Sequence, residues 1–228
     1  MNGISIGLAL ARERLSGASA IFALLLSAGA LFAIGVLERQ SDAPSAPDDT
    51  LRGAAFGIAL PLLAYLVSER ATEGKRLTRS VDAVARYGTN RRAALLGVLL
   101  ASALYTALAS ALVTLAAVLG AHPPRSASLI SDLRASVGIA LIAGAVYALY
   151  FGAASLLGKR GTGRKWALII DFVLGAGSSA LAAPWPRGHV RNLLGGEPVV
   201  DLSQASAWFV LGAIGVVCVT LSVAKTAE

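Results

Sequence analysis

Charged side chains are scarce in this 228-residue chain: Asp, Glu, Lys and Arg make up 14% of it, whereas soluble globular domains carry about a quarter. The mean hydropathy is +0.69. Cysteine occurs once, at Cys218, which excludes an intrachain disulfide or a cysteine zinc site. The only histidines, His122 and His189, are predicted in loops, which argues against metal catalysis. This composition predicts a polytopic membrane protein rather than a soluble enzyme.

Six apolar runs predict an all-α membrane protein with six spanning helices. The runs lie at about residues 18–37, 51–68, 93–119, 135–157, 166–183 and 206–224. Trp166 and Trp185 are about 28 Å apart along a helix, so they are expected to mark the two interfaces of the fifth span. Pro61 predicts a kink in the second span, where Gly53 and Gly57 form a GxxxG pair that would allow close helix contact. Residues 1–228 leave no room for a nucleotide-binding domain, so we expect a single membrane domain.

The first 16 residues are too short and too polar to cross a bilayer. Ile4, Leu8, Ala11 and Leu15 fall on one side of a helix, a pattern typical of a helix that lies in the membrane interface. A frayed tail before the first span is the alternative. The apolar stretch that follows has no clear small-residue cleavage site, so a cleaved signal peptide is not expected.

Basic residues are distributed unevenly between the predicted loops. With six spans, both termini share one side, and 14 of the 20 basic residues fall there: Arg12, Arg14, Arg70, Lys75, Arg76, Arg79, Arg86, Arg91, Arg92, Lys159, Arg160, Arg164, Lys165 and Lys225. The other side has Arg39, Arg52, Arg125, Arg134, Arg187 and Arg191. By the positive-inside rule both termini are cytoplasmic. The net charge of +7 therefore reflects topology and predicts no nucleic-acid partner. The Ala-, Gly- and Arg-rich usage is typical of a GC-rich bacterial genome, so we expect the bacterial inner (plasma) membrane.

The most charged segment is the predicted cytoplasmic loop at residues 69–92, between the second and third spans. Its residues 77–87 have a helical pattern with one apolar stripe, formed by Leu77, Val81 and Val84. We expect a short amphipathic helix at the membrane surface that docks a cytoplasmic partner. A solvated basic loop that only fixes topology is the alternative.

This layout resembles the permease subunit of an ABC exporter of the six-helix type-2 family. The residues that carry the resemblance are Glu69, Arg70, Gly74 and Arg91. A proline often found before that arginine is missing, Gly88 stands there instead, and the loop is longer than usual. In that family the loop forms a coupling helix that sits in a cleft of the ATPase subunit. The resemblance implies that ATP-driven movement enters through residues 75–90.

The resemblance also implies which residues touch the ATPase: Glu69, Arg70, Glu73, Arg76, Arg79, Asp82, Arg86, Tyr87 and Arg91. ATP and Mg²⁺ would be bound by that partner, so no cofactor, metal or enzymatic activity is expected on this chain. The other expected partners are the lipid bilayer and a second permease, either a copy in a homodimer or a related chain. The substrate is not indicated. The alternative function is a non-transport anchor or scaffold whose basic loop recruits a cytosolic protein.

Asp171 is the one acid predicted well inside a span, about 9 Å from its cytoplasmic end. Intramembrane acids usually face a bundle interior or a wet cavity, which favours a substrate-pathway or gating contact. Alternatively, Asp171 reaches cytoplasmic water or pairs with Lys165.

Two further predicted loops, at residues 158–165 and 184–204, each allow two interpretations. Residues 158–165 are not a phosphate loop, because Gly163 is followed by Arg164 rather than lysine. They predict a smaller partner contact or plain topological charge. Residues 184–204 either fold back against the outer membrane face, as the resemblance implies, or are disordered.

Overall fold

The computed structural model describes residues 2–41, 46–123 and 128–226, and within them every regular element is helical. The all-α prediction is confirmed. The α-helices are α1 (Gly3–Leu15), α2 (Ala18–Gln40), α3 (Ala46–Asp49), α4 (Leu60–Ala71), α5 (Leu77–Ser80), α6 (Asp82–Ala85), α7 (Arg91–Ala121), α8 (Leu129–Ala154), α9 (Gly163–Val173), α10 (Pro186–Leu193) and α11 (Gln204–Ala224). A π-helix covers Thr50–Ala59, and 3₁₀ turns cover Lys159–Gly161, Ala180–Ala182 and Val199–Asp201. Arg125, counted above on the outer side, lies outside the described residues.

Five helical segments of the described chain are long and apolar enough to cross a membrane. They are Ala18–Gln40, Pro47–Ala71, Arg91–Ala121, Leu129–Ala154 and Gln204–Ala224. These match five of the six predicted runs, so the prediction of a multi-pass membrane protein is supported.

The prediction of one long helix at residues 166–183 is wrong. Here α9 has 11 residues, about 16 Å of helix, which is roughly half of a bilayer core. The next residues, 175–179, are Gly-Ala-Gly-Ser-Ser, and glycine and serine disfavour a helix interior. The chain then folds back, and α10 begins beside the end of α9. Trp166 and Trp185 therefore do not mark two ends of one helix.

The first 16 residues are helical as predicted, and their place in the membrane interface stays a prediction. Asn2 caps α1 by accepting the N–H of Ile4 at 2.7 Å, so the alternative of a frayed tail is not found. Ala11 and Leu15 of the predicted stripe are buried, whereas Leu8 is exposed.

Helix α7 is the centre of the bundle and packs against α1, α2, α4 and α8. Glycines bring two of these helices very close. A Cβ on Gly97 would lie 2.8 Å from the backbone nitrogen of Leu8 in α1, and one on Gly120 would lie 3.1 Å from the Cα of Phe32 in α2. Small residues allow this kind of close packing between membrane helices.

The predicted GxxxG pair makes no such contact, because nothing lies within 4 Å of a Cβ placed on Gly53. Instead, this part of the second span is π-helical and ends just before α4, in whose first turn Pro61 lies. Proline lacks an N–H and clashes with the carbonyl four residues earlier. The predicted distortion thus takes the form of a widened helix.

The loops gather at two ends of the bundle. One of them is called here the charged end. There the C-terminus of α1 meets the α4–α7 loop, where Arg14 donates a hydrogen bond to the carbonyl of Ser80 at 3.2 Å. At the opposite end, the start of the second span meets the segment after α10, because Arg52 Nε donates to the carbonyl of Leu194 at 3.1 Å. The segment at 184–204 is ordered and folded back, with His189 fully buried.

Candidate functional site

The α4–α7 loop at the charged end forms two single-turn helices rather than one helix over residues 77–87. Val81, with φ −107° and ψ 3°, separates α5 from α6. The predicted apolar stripe is confirmed: Leu77 and Val81 are buried, and Val84 packs half-buried beside them. The same cluster contains side chains of α1 and α7, so the loop is docked on the bundle.

Polar contacts fix this loop to the one between α8 and α9. The N–H of Leu77 donates to Ser155 Oγ at 3.1 Å, and Arg76 Nε donates to the carbonyl of Gly158 at 2.7 Å. The predicted partner contact Arg76 is thus engaged within the chain.

Asp82 and Arg91 hold α6 to the start of α7. Their closest side-chain atoms, Oδ1 and Nη2, are 2.6 Å apart, and Arg91 also donates to the carbonyl of Thr78 at 3.0 Å. Both residues were expected to contact a partner, and the structure pairs them with each other.

Arg14 joins three parts of the charged end. It donates to the carbonyls of Ala71 at 2.7 Å and of Ser80, and its Nε lies 2.9 Å from Glu73 Oε1. A hydrogen bond from Lys75, assisted by the charge of Arg14, holds the pKa of Glu73 below its usual value against the opposing effect of partial burial. The Glu73 carboxylate is therefore charged at neutral pH.

These elements enclose a hollow of about 950 Å³ at the charged end, called here the docking hollow. The predicted contact residues that line it are Glu73, Arg79, Asp82 and Arg86. Four further charged residues line it that were not predicted to contact a partner: Glu13, Arg14, Lys75 and Arg160. Arg79 and Arg86 are exposed, and Tyr87 next to them is 90% exposed.

Glu69 and Arg70 lie elsewhere. They line one end of an apolar groove of about 620 Å³ between α2, α4 and α7, where Arg70 donates to Ser19 Oγ. The groove is otherwise formed mainly by aliphatic side chains. The structure thus separates this pair from the residues of the docking hollow.

Arg164 is a structural residue that sequence reasoning missed. It is 2% exposed, and its guanidinium donates to the carbonyls of Ser68 at 2.8 Å and Lys75 at 2.9 Å and to Thr72 Oγ1. The loop at 158–165 therefore turns one of its cations inward, against the end of α4. No local motif signals this, since Arg164 and Ser68 are 96 residues apart.

Asp171 lies at the break between α9 and α10. It has no exposed surface; its Oδ2 accepts the hydroxyl of Tyr147 at 2.9 Å, and its Oδ1 accepts the N–H of Arg187 at 3.2 Å. The alternative expected from the sequence, contact with cytoplasmic water or with Lys165, is not found.

The described residues include no group of three or more His, Cys, Asp or Glu side chains arranged to hold a metal ion. Comparisons with protein-family models, with curated proteins and with solved structures find no match for this chain. A functional assignment therefore rests on the geometry of the sites.

Proposed function

We propose that this chain is the membrane-spanning permease subunit of an ATP-driven ABC exporter in the bacterial inner membrane. A separate ATPase subunit docks on the docking hollow and binds ATP and Mg²⁺. The observation that carries the proposal is the two-sided character of the α4–α7 loop. Its inner face is buried on the bundle, while Arg79, Arg86 and Tyr87 point outward.

A loop that only fixed topology would not need a buried face, because connecting segments normally run solvated over the surface. Here the loop is tied to α1 through Arg14, to α8 through Ser155 and to α9 through Arg164. A displacement of its outer face is therefore passed on to several helices at once. Interiors packed in this way move as rigid bodies rather than deform continuously.

The charges around the docking hollow favour an acidic partner surface. Arg79, Arg86 and Arg160 line it as cations and form no ion pair in the part of the chain that the structure describes. Opposed charges of this kind steer association and set the orientation of the partners. We expect the cleft of the ATPase to carry carboxylates that face these arginines.

The transport step is conformational, and both termini lie in the cytoplasm with the docking hollow. Closure of two ATPase subunits would push the loop and tilt the helices attached to it. A second permease, most simply another copy of this chain, would complete the pathway. Among the five candidate spanning segments described, Ala18–Gln40 and Gln204–Ala224 are the least buried. In their apolar stretches only 17% and 28% of the residues are buried. These two helices have the most surface left for lipid and for the second permease.

The test is a mild-detergent pull-down of the tagged full-length protein from its native host, followed by an ATPase assay of the eluate. We expect a roughly stoichiometric ATPase that is lost when Arg79 and Arg86 are both replaced by alanine. The matched control replaces Arg12 and Arg92, two exposed arginines of the charged end that do not line the docking hollow.

The outcomes separate the proposal from its competitor. If the double variant retains the ATPase as well as the control does, the docking hollow is not the docking site. If no ATPase copurifies with the unmodified protein, the exporter assignment fails, and a scaffold that recruits a cytosolic protein takes its place.

A further inference from the structure

A second polar hollow, of about 370 Å³, lies toward the opposite end, between the π-helix and α10. Three arginines line this space, called here the arginine hollow: Arg52, Arg187 and Arg191. Among its lining residues the only acid is Glu197, which is exposed. The hollow therefore has an excess of positive charge within the part of the chain that folds back beside α9.

Backbone carbonyls hold two of these arginines without neutralising them. Arg191 donates to the carbonyls of Glu197 at 3.1 Å and Gly177 at 2.9 Å, and to that of Ala176. Arg52 donates to Leu194, and of the three only Arg52 has a carboxylate partner among the described residues, Asp48 at 3.1 Å. Both guanidinium groups are thus fixed in place, Arg52 with an ion pair to Asp48 and Arg191 with none among the described residues.

The guanidinium of Arg187 has a hydrogen-bond donor that is not used within the described residues. Its Cζ lies 4.4 Å from the centre of the Phe172 ring, and its buried Nη1 has no hydrogen-bond partner among the described residues. Its backbone N–H donates to Asp171, and its guanidinium interacts with that buried carboxylate through charge but forms no ion pair with it. A buried donor without an acceptor is costly, and a bound anion would remove that cost.

The wall opposite Arg187 is the π-helix Thr50–Ala59, which contributes Phe56 and Gly57. A Cβ placed on Gly57 would lie 3.5 Å from Arg187 Nη2, so the absence of a side chain there leaves the guanidinium accessible. π-Helical turns are rare and frequently mark functional sites. The distorted segment and the guanidinium that carries the unused donor thus line the same hollow.

We propose that the arginine hollow binds a phosphate group. Guanidinium forks match the oxygens of phosphate in a bidentate manner, and three arginines line this hollow. The apolar side chains of Phe56, Val190 and Leu194 suit the uncharged part of an amphiphile. An anionic lipid headgroup and a free phosphate share this chemistry. The inference that the transported substrate is a phosphate-bearing amphiphile rests on the exporter proposal. The binding of phosphate in the arginine hollow does not depend on that proposal.

The experiment measures thermal unfolding of the purified full-length protein in detergent, without any ATPase. The probes are short-chain phosphatidylglycerol, diacylglycerol with the same chains but no phosphate, and inorganic phosphate. A ligand that binds only the folded state raises the unfolding midpoint. We expect phosphatidylglycerol to raise it and diacylglycerol not to; an equal shift with inorganic phosphate would identify a free anion as the source.

Arg187→Gln should weaken the binding of phosphatidylglycerol by roughly tenfold. The free energy of one charge-assisted hydrogen bond corresponds to at least about a tenfold change in affinity. Arg134→Gln, an exposed arginine near the start of α8 that does not line the hollow, is the control. If Arg187→Gln does not fold, Arg187→Lys keeps the charge but not the fork and should bind measurably more weakly than the unmodified protein.

The proposal is overturned if no anion shifts the midpoint, or if a folded Arg187 variant responds as the control does. Because no ATPase takes part, failure here leaves the pull-down result standing, and failure of the pull-down leaves this binding intact.

Discussion

Replacing Arg164 with methionine should release the α4–α7 loop from the bundle. The guanidinium is buried and joins the first turn of α9 to the carbonyls of Ser68 and Lys75 and to the hydroxyl of Thr72. Methionine fills a similar volume but donates nothing. Two buried acceptors and one part-buried acceptor would lose their donor at once, and the end of α4 would lose its link to α9.

The magnitude follows from these contacts. A hydrogen bond that involves a charged group contributes about 1.5–3 kcal/mol. The bonds of one guanidinium are not additive, so we take about 3 kcal/mol for the whole group. Since about 1.4 kcal/mol is a factor of ten, local opening of the loop should become roughly a hundredfold more frequent.

Limited trypsin digestion of inside-out membrane vesicles measures that opening. Cleavage after Lys75 and Arg76, identified by mass spectrometry, requires the segment to leave its bound conformation, since Arg76 and Leu77 are held by the α8–α9 loop. When opening and closing are fast, the cleavage rate follows the population of the open form.

Lys165→Met is the matched control, because Lys165 is exposed and adjacent in sequence. Arg164→Lys, which keeps the charge but loses the fork, should be intermediate. If Arg164→Met is cleaved at the same rate as the Lys165 control, the buried guanidinium does not hold the loop, and the proposed transfer of movement from the loop to α9 is refuted.

Two further predictions concern the bundle itself, and both are read from unfolding midpoints in detergent. Gly97→Leu should destabilise the protein by about 1–3 kcal/mol, because a Cβ at this position meets backbone atoms of α1. The control Gly138→Leu should be nearly neutral, because nothing lies within 4 Å of a Cβ there. Equal unfolding midpoints for the two variants would show that α1 does not depend on this close approach. Tyr147→Phe should cost more than Tyr150→Phe, because the first hydroxyl serves the buried carboxylate of Asp171 and the second only a backbone carbonyl; the reverse order would show that Asp171 does not rely on Tyr147.

Hydropathy predicted five helices correctly because it reports which segments prefer lipid to water. It failed at residues 166–183 because an apolar composition does not ensure a continuous helix. The break depends on a short run of glycine and serine at 175–179, and the fold-back beyond it is stabilised by Arg191, which binds carbonyls 14 and 15 residues away.

The docking hollow was only partly predictable. The stripe of Leu77 and Val81 follows from helical periodicity, and both side chains are buried. Arg14 could not be found in this way, because it reaches Ala71 across 57 residues. Its position depends on the packing of α1 against α7, which no local pattern encodes.

The interruption between α9 and α10 also determines when the membrane domain can be completed during synthesis. At 11 residues, α9 is too short to cross the hydrocarbon core as a helix on its own. The chain after it folds back into α10, which ends at Leu193, and the contacts of Arg187 and Arg191 join this return segment to α9 and to the turn after it. This part of the fold therefore remains unfinished until residues well beyond α9 have left the ribosome.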